Sequence, residues 1–181
     1  MDQNLVAAGD FYRAVKPTSE IVVVDDDENM RDLLSATLAP EGFPITTFED
    51  GDTFLTDAGT RVPMCIFLDV VMPHRSGLEV LKELRTRNYW APIILTSAMD
   101  DIATVVEAMK HGAHDYIKKP FDLSVPPLQA RKAMAAWSHR EQATSLLGLR
   151  ESENSKWFLL TPDERDAVMM MRFMDIAATR R

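Results

Sequence analysis

The sequence predicts an α/β fold, a doubly wound five-stranded parallel sheet with a C-terminal helical extension. Three observations lead there. Short unbroken apolar runs, Ile21-Val22-Val23-Val24, Met64-Cys65-Ile66-Phe67-Leu68 and Ile93-Ile94-Leu95, have the character of strands buried on both faces. Segments with helical periodicity separate them, so successive parallel strands are joined by right-handed crossovers. Polar residues follow each run: Asp25 and Asp26, then Asp69, then Thr96. In open parallel sheets this carboxyl edge is where ligands and chemistry collect.

Composition sets the outer limits. The chain has 181 residues, 46% hydrophobic and 27% charged, which suits one domain of ordinary size plus extra segments. No apolar run approaches the roughly 18–20 residues of a membrane span, and residues 1–16 lack the apolar core of a secretory signal. No membrane partner is therefore expected. The single cysteine, Cys65, excludes an internal disulfide framework and fits a reducing cytoplasm; inside an apolar run it reads as core. A formal net charge of −8 argues against broad nonspecific binding of nucleic acid.

Residues 1–19 show no sustained periodicity and form an N-terminal extension ending at Pro17-Thr18-Ser19, in which Phe11, Tyr12 and Val15 could pack as a short helix. The first strand leads into Asp25-Asp26-Asp27, with Asp27 as the N-cap of a helix presenting Met30, Leu33, Leu34, Thr37 and Leu38 on one face. Pro40 and Gly42 close that helix. A short strand over 43–48 and a short helix over 50–58 follow. The third strand lies between Pro63 and Pro73 and carries Asp69 to the edge. Ser76-Gly77-Leu78-Glu79 has the form of a capping box, starting a helix whose inner face is Leu78, Leu81 and Leu84. The fourth strand, 91–95, ends at Thr96-Ser97. Asp100 or Asp101 caps the next helix, with Ile102, Val105, Val106 and Met109 at i, i+3, i+4 and i+7, and Gly112 takes the left-handed C′ position. A fifth strand over 116–118 runs into Lys119-Pro120-Phe121. The last helix is expected from about Pro127 to Leu147, starting late or kinked because of Pro126-Pro127.

The sheet edge thus gathers Asp25, Asp26, Asp69, Thr96 and Lys119. Three crowded carboxylates repel one another unless a cation sits among them. Hard oxygen donors at a small open site suit Mg²⁺. An ammonium and a hydroxyl complement the oxygens of a phosphoryl group, and a carboxylate facing them can act as a nucleophile to form an aspartyl phosphate. The set describes a Mg²⁺-dependent phosphoacceptor.

Four motifs in this order, Val-Val-Asp25-Asp26-Asp27, Leu68-Asp69-Val-Val-Met-Pro73 with Ser76-Gly77, Leu95-Thr96-Ser97-Ala98, and Tyr116-Ile-Lys-Lys119-Pro120-Phe121, resemble the receiver domain of two-component response regulators over roughly residues 20–140. The resemblance implies a flavodoxin-like receiver fold with strand order 2-1-3-4-5. It implies that Asp69 takes a phosphoryl group from a sensor histidine kinase, and that Asp25, Asp26, Asp69 and the backbone carbonyl of Val71 hold Mg²⁺. Thr96 and Lys119 would contact the phosphoryl oxygens, Tyr116 would be an aromatic switch, and Lys119–Pro120 would be a cis peptide. The chain would then be a phosphoacceptor and not an enzyme, apart from self-phosphorylation by small donors and autodephosphorylation.

Competing assignments are weaker. Lys118 neighbours Lys119, but strand neighbours face opposite ways, so only one reaches the site. His111 and His114 lack acidic or thiol partners at ligand spacing, and His111 near a helix C-terminus suits the helix dipole. His74-Arg75 fills the loop beside the acceptor, by default a solvated pair. A haloacid-dehalogenase-type phosphatase would use Asp25-x-Asp27, but Asn29 stands where that signature needs Thr, and Asp69-to-Pro73 would have no purpose. A pseudo-receiver acting as a fixed adaptor is disfavoured by the intact acidic, Thr96 and Lys119 set.

Residues 141–181 form a linker and a C-terminal helical segment. The helix continuing past Trp137 suggests a linker or dimer contact. Leu160-Thr161-Pro162-Asp163-Glu164-Arg165 is a strong helix start, and resembles the opening of the LuxR/FixJ-type DNA-binding domain. A helix-turn-helix needs a further recognition helix, for which no residues follow, so a truncated output domain or another role is expected and DNA binding by this chain is not. Val168, Met169, Met170, Met171, Phe173, Met174 and Ile176 make the segment apolar nearly all round, adaptable and suited to a protein partner or a second copy.

Overall fold

A computed structural model describes Thr18, residues 20–87, Tyr89, residues 91–98 and residues 102–147, the last helix by its backbone alone beyond residue 136. The expectations for residues 1–17 and Ser19, for a cap at Asp100 or Asp101, for the Trp137 side chain and for the segment after Leu147 lie outside the described residues. The chain divides into two compact units, Met1–Ser138 and His139–Arg181. The sheet belongs to the first; of the second, the helix backbone to Leu147 is described.

Strands β1 (Ile21–Val24), β2 (Ile45–Phe48), β3 (Cys65–Asp69), β4 (Ile93–Ser97) and β5 (Asp115–Lys118) form one parallel sheet in the order β2-β1-β3-β4-β5. Helices α1 (Glu28–Leu38), α2 (Gly51–Asp57), α3 (Gly77–Thr86), α4 (Ile102–Lys110) and α5 (Val125–Leu147) make the crossovers, with a 3₁₀ turn at Ala39–Glu41 after α1. The expected fold class and strand order are both present. Every residue of β1, β3 and β4 is buried, which is why those runs carry no polar alternation. β2 lies at the sheet edge and is only half-buried, so Thr46 and Thr47 are accommodated there.

Local chemistry sets the helix ends. Asp27 caps α1 by accepting from the Asn29 N–H, and Asp50 caps α2 by accepting from Thr53. Ser76 and Glu79 form the expected reciprocal capping box on α3. Replacing Ser76 by Ala should cost about 1 kcal/mol. The expected result is a lower urea midpoint with an unchanged slope; an unmoved midpoint would remove the cap from the energetics. Gly112 has φ +84°, the left-handed geometry expected after α4.

Three expectations need correction. On α1, Leu34 and Leu38 face the core but Leu33 is exposed. On α4 the apolar stripe points outward: Ile102 is 78% exposed, Val106 and Met109 are exposed too, and the helix is buried at the small Ala108. Periodicity identifies residues that share a face, while contact is decided by which face a neighbour can approach. The last helix begins at Val125, before both prolines. Pro126 and Pro127 lie in its first turn, where backbone N–H groups have no helical acceptor, so their rings cost nothing.

At the amino edge of the sheet a buried polar cluster anchors the chain entry. The Glu20 carboxylate accepts from the hydroxyls of Thr18 and Thr46 and from Arg61, whose guanidinium also forks onto Asp57. Paired and satisfied in this way, the charges are tolerated at low exposure. Nothing in the local sequence pattern announced this cluster.

Candidate functional site

The opposite, carboxyl edge collects the predicted residues. Asp25 leaves β1, Asp69 ends β3, and Thr96 lies on β4 directly beside Asp69 in the ladder. Lys119 leaves β5 across a cis peptide to Pro120, its N–H bonded to the Ser97 carbonyl at 2.7 Å. Parallel register therefore brings to one edge residues separated by up to 94 positions in the chain.

Lys119 joins the carboxylates. Its Nζ donates to Asp25 Oδ2 at 2.7 Å and to Asp69 Oδ1 at 2.7 Å. Lys118, next to it, is exposed and paired in register with Ser97. Asp69 Oδ2 accepts from the Val71 N–H at 2.9 Å, and Asp25 Oδ1 from the Asp27 N–H at 3.1 Å. Burial pushes the Asp69 carboxyl above its usual range; the hydrogen bond and charge of Lys119 oppose this, and the Asp25 charge adds to it. For Lys119, burial disfavours the ammonium, yet the hydrogen bonds and charges of the two carboxylates outweigh it and hold its pKa above the ordinary lysine value. Asp69 thus stands in a place that resists ionisation, a resistance opposed chiefly by Lys119.

The donor set fits a divalent cation. One oxygen from each of Asp25, Asp26 and Asp69 lies within 4.8 Å of the others, and no metal is present. Asp25 and Asp69 are buried and Asp26 is exposed, so a cation held there would keep water ligands, as Mg²⁺ prefers. The Val71 N–H is fixed by Asp69, and the residue itself is exposed at the site's margin.

Thr96 carries the other signal. At 1% exposure its hydroxyl has no hydrogen-bond partner, one of two such buried side-chain atoms among the described residues. A buried orphan hydroxyl is expensive and points to a partner that arrives later. Tyr116 sits on β5 beside Leu95, one residue out of step with Thr96, and is half-buried.

Other assignments separate cleanly. Asp27 is occupied as the α1 cap, taking both the backbone and side-chain N–H of Asn29, and does not join the acidic group. His111 and His114 follow α4; His111 is exposed, and the His114 N–H bonds to the Ile93 carbonyl. In the loop after Asp69, His74 has φ +64° and Arg75 pairs with Asp52 at 2.7 Å.

Two features escaped the sequence. Gly77 packs against the backbone of Asp69: a Cβ there would stand 2.0 Å from the Asp69 carbonyl oxygen. Its signal was the Gly after Ser76, read as part of a cap and of the second motif but not as a close approach to Asp69. Arg31 donates from one guanidinium nitrogen to the carbonyls of Asp25 and Asp26, at 2.8 and 3.0 Å. A cation one turn into the helix that follows an acidic loop was its only trace.

Comparison with known proteins agrees with this geometry. Residues 21–125 match the response regulator receiver domain family. The DNA-binding transcriptional regulator NtrC of Salmonella typhimurium is 33% identical over 124 residues, covering 68% of this chain and 26% of NtrC. The transcriptional regulatory protein FixJ of Bradyrhizobium diazoefficiens is 39% identical over 102 residues, covering 56% of this chain and 50% of FixJ. Among solved structures, the receiver domain of NtrX from Brucella abortus is 34% identical with TM-score 0.60, covering 64% of this chain and 98% of that one. The chain spans about a quarter of the NtrC relative and half of the FixJ relative. Relatives of both kinds match, so the likeness does not single out the FixJ/LuxR subgroup.

Proposed function

The chain belongs to the response regulator receiver domain family, and from that premise we propose that Asp69 is its phosphoacceptor, loaded with Mg²⁺ by a sensor histidine kinase. The observation that carries this is the lysine-clamped acidic edge, with Lys119 bridging Asp25 and Asp69 beside the unpartnered Thr96 hydroxyl. An Asp69 carboxylate oxygen attacks the phosphorus as the bond to the donor histidine nitrogen breaks, and the histidine leaves neutral after taking a proton. Mg²⁺ held by Asp25, Asp26, Asp69 and the Val71 carbonyl supplies charge neutralisation when bound. Lys119 exchanges a carboxylate for a phosphoryl oxygen, and Thr96 donates its hydroxyl to another. Such a site positions and neutralises, with little acid–base work; the chain is a phosphoacceptor and not an enzyme.

The output is a change of protein–protein affinity. Thr96 moving toward the phosphoryl group biases an existing two-state equilibrium, with Tyr116 following. Ile102, Val106 and Met109 on α4, with Leu123 and Leu128 near the start of α5, give the second half of the domain exposed apolar area for a partner or second copy. A DNA-binding output of the FixJ/LuxR type is the second reading, favoured by residues 160–165 and the FixJ likeness; a phosphorylation-dependent gel shift would select it.

The test is labelling with a small acyl phosphate. With Mg²⁺ the chain should label stoichiometrically, and excess chelator should stop it; undiminished labelling in chelator would defeat the metal-dependent reading.

A further inference from the structure

We propose that Arg31 is a positioning residue for the divalent cation, holding the main chain of Asp25 and Asp26 so that their carboxylates stand in place before the ion arrives. This rests on the Mg²⁺-dependent reading of the site above. The bond from the Asp25 N–H to the Phe48 carbonyl, 3.2 Å, is the last ladder contact as the chain leaves β1. The next two carbonyls, of Asp25 and Asp26, both accept from the Arg31 guanidinium. Arg31 is itself fixed in the first turn of α1, where its N–H bonds to the Asp27 carbonyl at 3.0 Å. One side chain therefore ties the helix to the acidic turn.

The two carboxylates depend on that tie unequally. Asp25 is held independently, by the Asp27 N–H at one oxygen and Lys119 at the other. Asp26 is exposed, and its carboxylate has no hydrogen-bond partner among the described residues. The direction in which Asp26 projects is set by its backbone, and Arg31 grips that backbone. A guanidinium near three carboxylates also repels a cation. Arg31 is half-buried, and its donors are turned to carbonyls rather than to the carboxylates. Pre-organisation outweighs repulsion, as it does for outer partners of metal ligands generally, whose loss weakens binding by roughly 10–100-fold.

The test is calorimetric titration of the full chain with MgCl₂, without phosphodonor, alongside thermal melts in chelator. Arg31→Met should weaken Mg²⁺ binding about tenfold, and Arg31→Lys, which keeps a shorter donor, should fall between it and the wild type. Unchanged or tighter binding by Arg31→Met, with only a lower Tm, would show an anchor for α1 and overturn the proposal. Should Arg31→Met fail to fold, Arg31→Lys decides: unaltered affinity overturns the proposal and weaker affinity supports it. Asp26→Asn separates the levels. If the wild type binds and Asp26→Asn does not, the metal site stands and the Arg31 variants test Arg31 alone. If the wild type binds no Mg²⁺, the reading of the site falls and takes this inference with it.

Discussion

Asp69→Asn should abolish labelling by acyl phosphate while making the protein more heat-stable. The loss follows from removing the proposed nucleophile, and should reach about a hundredfold or more, down to the background of other carboxylates. The gain follows from electrostatics. Burial holds the Asp69 carboxyl above its ordinary value of 3.8, with Asp25 adding repulsion, so the neutral form is favoured where the residue sits. Asn has the shape of that neutral form. The sign in pH is fixed by linkage. A carboxyl that binds its proton more tightly when folded lowers stability as pH rises from the unfolded value through the raised folded one. Asn lacks that loss, so the Tm advantage of Asp69→Asn should be present above this window and vanish in acid below about pH 3.8. Lys119 retains Asp25 as a partner in the variant, so the lysine is not stranded. Melts from acid to neutral pH measure the difference directly. A variant less stable than wild type at neutral pH would mean that the Lys119–Asp69 pair outweighs the burial it relieves.

Gly77→Ala should be the most damaging alanine substitution among the described glycines. A Cβ there would lie 2.0 Å from the Asp69 carbonyl oxygen, 2.9 Å from its carbon and 3.1 Å from the Val70 Cα. All three are backbone atoms, and the Gly77 N–H is bonded to the Val70 carbonyl at 3.0 Å, so neither side can step back without breaking the link. Overpacking of this kind costs roughly 3 kcal/mol or more, a large part of a stability of about 5–15 kcal/mol. The displaced segment carries Asp69, so labelling should fall with stability. Gly112→Ala provides the contrast. It has φ +84° and meets only the Arg85 side chain, at 3.3 Å, so its cost is the left-handed strain of about 1–2 kcal/mol. Gly59→Ala, in ordinary contact at 3.6 Å, should be near neutral. Urea denaturation of the three variants orders them; a Gly77→Ala protein no weaker than Gly112→Ala would refute the close approach.

Much of the fold was legible because its signals are local. Ile21–Val24 could be read as a doubly buried strand from its own four side chains, and Asp27 and Ser76 announced helix starts from their place before apolar-periodic segments. The site was legible in its membership, because each member follows a strand and a parallel sheet presents those ends together. Helix faces were less legible. On α4 the stripe of Ile102, Val105, Val106 and Met109 was seen as one face, but only Val105 of the four is half-buried, and the helix is buried at Ala108.

What the sequence determined by itself was therefore the alternation of strands and helices, their order, and which residues reach the carboxyl edge. These follow from periodicity, capping and chain direction, which act over a few residues. What only the tertiary structure decided was who touches whom there: Lys119 across Asp25 and Asp69, Thr96 left without a partner, Arg31 on the two carbonyls, Gly77 against the Asp69 backbone. Those contacts depend on strand register and on ångström-scale distances between elements, 94 positions apart for Lys119 and Asp25 but only five or six for Arg31 and its two carbonyls. No local pattern encodes them, because each is made by a residue whose partner is supplied by another element.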